Sequence, residues 1–91
     1  MEFEWDRRKA EINLRKHGVS FVEAGTIFND ELSVTVPDPD HSCDEDRYIT
    51  IGWSDRRRLL MVSHTDRGNT VRIISARELT KTEQKEYEET I

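Results

Sequence analysis

Cysteine is nearly absent: Cys43 stands alone in 91 residues, so no intrachain disulfide can form, and its acidic surroundings make a free surface thiol the simplest reading. No apolar run approaches bilayer length, and the N-terminal M-E-F-E-W-D has neither the basic nor the apolar region of a signal peptide, so no membrane partner and a cytoplasmic location are expected. The histidines His17, His41 and His64 are scattered, there is no glycine-rich phosphate loop, and no cofactor is expected. The nearest approach to a metal motif lies between Pro37 and Asp46. There Asp38, Asp40, Ser42, Asp44 and Asp46 alternate as in the first half of a calcium loop. The imitation fails because Cys43 stands where glycine is required, Ile49 stands where a bidentate glutamate is required, and Pro39 stiffens the start. A solvated acidic loop is the expected structure.

What is present is charge. Charged residues make up 36% of the chain and apolar ones 34%, which suits one soluble domain, residues 1–91, with a modest core. The net charge of −5 argues against indiscriminate nucleic-acid binding, but it conceals an asymmetry. Residues 1–46 hold 12 acidic and 5 basic side chains, whereas residues 47–91 hold 7 acidic and 9 basic. An acidic protein built this way can still present a basic face.

Phe3 and Trp5 alternate with Glu2 and Glu4, which reads as a short strand. Asp6 then caps a helix over Arg7 to His17, with Gly18 as its terminator. Helical spacing points Ala10 and Leu14 one way and gathers Lys9, Asn13, Lys16 and His17 on a neighbouring polar face. Ser20 and Glu23 form a capping box for a second helix, with Phe21, Ala24 and Phe28 inward. Strands are expected over Leu32 to Val36, Arg47 to Ser54 and Leu59 to Thr65, with Ile49, Ile51 and Trp53 forming an apolar face. Thr80 and Glu83 cap a last, polar helix that contains Tyr87. The expected fold is α+β, in the order β-α-α-β-β-β-β-α, with helices packed on one face of an antiparallel sheet.

The β-branched run T-V-R-I-I-S-A-R-E, Thr70 to Glu78, is the candidate central strand, and its arginines need partners or an anionic ligand. Arg47, the Arg56-Arg57-Arg58 turn, Arg67, Arg72 and Arg77 all sit on the expected strands or their ends. Arginine forks and a histidine or tyrosine are sufficient for metal-free RNA cleavage: cations stabilise charge on the phosphorus oxygens while a base and an acid move protons. The plainer reading is surface pairing with the 19 carboxylates, and His64 as a hydrogen-bonded structural residue.

F-E-W-D at Phe3 to Asp6, Lys9, K-H-G-V-S-F at Lys16 to Phe21, Glu23-Ala24, R-I-I-S-A-R-E at Arg72 to Glu78, then Glu83 and Tyr87 together resemble the BrnT toxin family. The resemblance implies a ribonuclease toxin of a type II toxin–antitoxin pair with a fold similar to RelE and ParE toxins. It implies a BrnA-like antitoxin as partner, RNA as substrate with or without the ribosome, and operator DNA contacted only through the antitoxin. By analogy of position it points to Arg47, Arg57 or Arg58, Arg77 and Tyr87, and its motifs take in Lys16, His17, Arg72, Arg77 and Glu78. With His64 added from the strand reading, Arg72, Arg77, His64 and Tyr87 are the catalytic candidates, and Lys16, His17, Arg47, Arg57, Arg58 and Glu78 the substrate-binding candidates. A ParE-like toxin acting on a protein target such as gyrase, and a non-toxic member retained only in the repressor complex, are the alternatives.

Overall fold

The computed structural model describes residues 1–39 and 46–90. The elements run β1 (Glu2–Trp5), α1 (Arg7–His17), α2 (Phe21–Thr26), a 3-10 turn (Ile27–Asn29), β2 (Val34–Pro37), β3 (Arg47–Trp53), β4 (Leu59–Arg67), β5 (Thr70–Glu78) and α3 (Lys81–Thr90). The strands form one sheet in the order β1-β5-β4-β3-β2. β2 to β5 are antiparallel neighbours, but β1 lies parallel to β5, with Phe3 opposite Val71 and Trp5 opposite Ile73. The sheet is therefore mixed, which corrects the antiparallel expectation. A parallel neighbour requires a long crossover, here supplied by everything between β1 and β5.

The helix ends are set locally. The Asp6 carboxylate accepts from the Lys9 amide at 2.9 Å, and Gly18 closes α1 in the left-handed region at φ 69°. Ser20 accepts from the Glu23 amide at 3.0 Å, and Thr80 and Glu83 cap α3 reciprocally at 2.9 and 3.2 Å.

Alternation along β4 separates two apolar clusters. Leu60 and Val62 face α1 and α2, where they bury Val19, Phe21, Ala24, Ile27, Ile73 and Ala76. The larger of these, Leu60, Val62, Val19, Phe21, Ile27 and Ile73, contribute about 1.5–3 kcal/mol each on burial. Leu59 and Met61 face the other way and pack with Leu79, Tyr87, Val34 and Ile51 beneath α3. The helices thus lie on both faces, not one. We call the α1/α2 side inner and the α3 side outer.

Two further expectations change. Leu14 is 51% exposed, whereas its polar neighbour Asn13 is buried. In β3 it is Thr50 and Gly52 that face the inner core, with Ile49, Ile51 and Trp53 on the outer face. Glycine is needed at position 52 because a Cβ there would lie 3.0 Å from the Ser33 Cβ and 3.2 Å from the Ile27 carbonyl. Most of the calcium-loop imitation, with His41 and Cys43, falls on residues 40–45, outside the described residues. Among the described residues no helix is long and apolar enough to cross a membrane.

Candidate functional site

The outer face of the sheet is only half covered. α3 seals one end over Leu59, Met61 and Ile51, and the other end presents polar side chains. Strand register puts Arg47, Thr65, Arg72 and Glu4 in one row across β3, β4, β5 and β1. The next row holds Ile49, Ser63 and Ser75, and the row after it brings Arg77 beside Met61. An irregularity between Ser63 and His64 leaves Ile74 as an extra residue on β5. Because of it, Arg72 and Arg77, an odd number apart, share one face. Sequence alternation alone would have put them on opposite sides.

These arginines differ in their partners. Arg77 grips Glu83 through two bonds of 2.7 and 2.9 Å and donates to the Glu78 carbonyl at 3.2 Å. The Arg77 fork, aided by the Thr80 amide, holds the Glu83 carboxyl down at about 2, and the Glu83 bonds push the Arg77 pKa up. Arg72 meets Glu4 at 3.0 Å, both partly exposed. Among the described residues Arg47 has no carboxylate partner.

Lys16 and His17 lie elsewhere, at the exposed end of α1. β1 pairs with β5 only as far as Ile73, so the edge of β5 beyond it is open. The Asn13 amide closes that edge as a strand would: it accepts from the Ala76 amide at 3.0 Å and donates to the Ala76 carbonyl at 2.8 Å and the Val19 carbonyl at 3.0 Å. Above it, Lys9, Lys16, His17, Ile74 and Ser75 line a cleft of about 200 Å³. Ser75 joins this cleft to the outer-face rows.

Arg57 and Arg58 occupy the β3–β4 turn and separate there. Arg58 turns inward to Glu23, with bonds of 2.9 and 2.5 Å, and donates to the Gly18 carbonyl at 3.0 Å. The Ser54 hydroxyl adds a 2.7 Å bond to the same carboxylate. Arg58 and then Ser54 hold the Glu23 pKa down against the effect of burial. Arg58 is thus a structural cation that ties β4 to α1 and α2, with Glu78 3.8 Å away and exposed. Glu23 completes no capping box because Arg58 has taken its carboxylate. Arg57 is exposed and adopts φ 61°.

The two proton-transfer candidates are both buried. His64 is 1% exposed on the inner face, bonded through Nδ1 to Asp66 and through Nε2 to Thr50, each at 2.7 Å. Thr50 continues to Thr35 at 2.7 Å, and the ring stacks on Tyr48 and meets the Phe28 ring edge-on. Burial lowers the His64 pKa, against the Asp66 bond. In this structure His64 is a core residue on the side of the sheet away from Arg72 and Arg77. Tyr87 is on the arginine side, but its hydroxyl donates to the Leu32 carbonyl at 2.9 Å, and burial raises its pKa. Sequence reading missed Thr65 and misassigned two others: Asn13, expected on a polar face, is buried against β5, and Glu23, expected to close a capping box, holds Arg58.

Residues 5–83 match the family model described as the ribonuclease toxin BrnT of type II toxin–antitoxin systems. The chain belongs to the BrnT family. The match runs from Trp5 to Glu83 and so takes in every candidate cation but stops short of Tyr87. Among solved structures, the Brucella abortus ribonuclease toxin BrnT shares the fold, with a TM-score of 0.70 and 23% identity over 89% of this chain and 99% of that one. No curated protein matches. BrnT membership makes this chain one of a toxin family described by its ribonuclease activity and an antitoxin partner.

Proposed function

We propose that this BrnT protein is a metal-independent RNA endonuclease with a RelE-like architecture, neutralised by a BrnA-like antitoxin. The observation that carries this is the gathering of Arg47 and Arg72 on the open half of one sheet face, beside the hydroxyls of Ser63, Thr65 and Ser75, with Arg77 on the same face where α3 begins to cover it. Arginine forks and hydroxyls are the groups that hold phosphodiesters. In the reaction the RNA 2′-hydroxyl gives its proton to a solvent water and its oxygen attacks the adjacent phosphorus. The bond to the 5′-oxygen breaks, that oxygen takes up a proton, and a 2′,3′-cyclic phosphate remains. Arg72 and Arg77 exchange Glu4 and Glu83 for the phosphorane oxygens, where their charge stabilises the transition state. Of the two proton-transfer candidates only Tyr87 shares the arginines' side of the sheet. Its raised pKa keeps the proton on and suits it to the acid role, after its bond to Leu32 is broken. Lys9, Lys16 and His17 line the path along the β5 edge, and Arg57 extends it at the hairpin tip.

One observation favours the second reading, a non-catalytic toxin aimed at a protein: Arg72 and Arg77 are already satisfied by carboxylates. Inducible expression without antitoxin, with mapping of new RNA 5′ ends, decides between them. Growth arrest with new ends in the wild type, and neither in Arg77→Ala, is expected. Arrest without new ends transfers the search to a protein target.

A further inference from the structure

Thr65 is 5% exposed, and its hydroxyl oxygen has no hydrogen-bond partner among the described residues. A buried hydroxyl left unpaired costs free energy, and one kept in that state is placed to receive something. His64 and Asp66 bond to each other on the inner side of β4, so Thr65 between them points to the outer face. There its neighbours across the sheet are Arg47 on β3 and Arg72 on β5. Adjacent strands lie about 4.8 Å apart, so the two arginine stems flank the hydroxyl at roughly 10 Å from each other, a span that one tetrahedral anion and two guanidinium groups fill. Among the described residues Arg47 carries no carboxylate, and Arg72 bonds to the partly exposed Glu4, with Asp6 also near enough to feel its charge.

We infer that Arg47, Thr65 and Arg72 form a phosphate-binding subsite, in which the Thr65 hydroxyl donates to a phosphate oxygen and both arginines turn over it. It deepens the ribonuclease reading and rests on it for the source of the phosphate, the RNA backbone beside the scissile bond.

The full chain is titrated with inorganic phosphate against chloride at equal ionic strength, and thermal midpoints are read for the wild type, Thr65→Val and Thr65→Ser. The midpoint should rise and saturate with phosphate in the wild type and in Thr65→Ser. Thr65→Val, which removes the unpaired hydroxyl without changing shape, should melt about 2–5 °C higher in chloride and lose more than half of the phosphate response. Equal phosphate responses in the wild type and Thr65→Val overturn the subsite. So does a Thr65→Val protein that melts below the wild type in chloride, because the hydroxyl would then have a partner within the fold. A single-stranded oligodeoxynucleotide, which cannot be cleaved, then replaces phosphate: a Thr65-dependent response to it supports the backbone as the source. Scoring RNA 5′ ends separately keeps the two readings apart. Thr65-dependent phosphate binding without cleavage retains the subsite and removes the nuclease, and cleavage with a Thr65-independent response does the reverse.

Discussion

Asn13 substitutes for a strand segment that the chain does not supply. Its amide satisfies two β5 backbone groups and the Val19 carbonyl, all in the protein interior. Asn13→Leu would fill the space but leave these groups without partners, and each such loss costs about 1–3 kcal/mol. The expected destabilisation, shared out by local relaxation, is about 2–4 kcal/mol, read as a lower urea midpoint. His64 makes a different prediction. Burial holds its folded pKa below the ordinary 6.5, so the unfolded chain takes up the proton first. Stability should therefore be greatest above pH 6.5 and fall as the pH drops below it toward the lower folded value. A thermal midpoint series from about pH 5 to 8 should show this slope, and His64→Gln should flatten it. If His64 were instead an exposed catalytic base, the slope would be absent.

The β3–β4 hairpin shows how an element carries both a structural and a binding requirement. Its turn is closed by bonds from Ser54 to Arg58 at 2.8 Å and from Arg57 to Ser54 at 3.0 Å, which force position 57 into the left-handed region. Glycine is the residue that this conformation favours, and an arginine there is strained. Arg57→Gly is expected to stabilise the fold by about 0.5–1 kcal/mol, measured by urea unfolding, while weakening RNA binding. A variant that gains nothing in stability would show that the arginine is packed, not exposed for a ligand. The helix caps, by contrast, were legible from short motifs: Asp6, Gly18, Ser20, Thr80 and Glu83 all act where their spacing indicated. Only the return bond of Glu23 failed, drawn away by an arginine 35 residues later.

At the scale of the molecule, a net charge of −5 coexists with an arginine-bearing face, because carboxylates neutralise Arg58, Arg72 and Arg77 one by one. Affinity for RNA should then come from few net phosphate contacts. Three arginines, at about 0.7 counterions released per single-strand phosphate, give a slope of about −2 in log affinity against log salt concentration. A titration of an uncleavable oligonucleotide across potassium chloride concentrations measures it. A much steeper slope would mean that the whole basic half of the chain binds, not the outer face alone.

The sequence by itself determined where helices start and stop, which segments alternate as strands, and, through K-H-G-V-S-F and R-I-I-S-A-R-E, the family. These depend on side chains bonding to backbone within about four residues, or on a period of two, and so are written locally. Only the tertiary structure decided that β1 joins β5 in parallel, that Asn13 reaches Ala76 across 63 residues, and that His64 faces the core while Arg72 and Arg77 share a face. A single extra residue at Ile74 reverses the alternation, and Glu4, Glu23 and Glu83 choose their arginines only once the strands are side by side. Face and partner are properties of register, which no local pattern in β5 specifies.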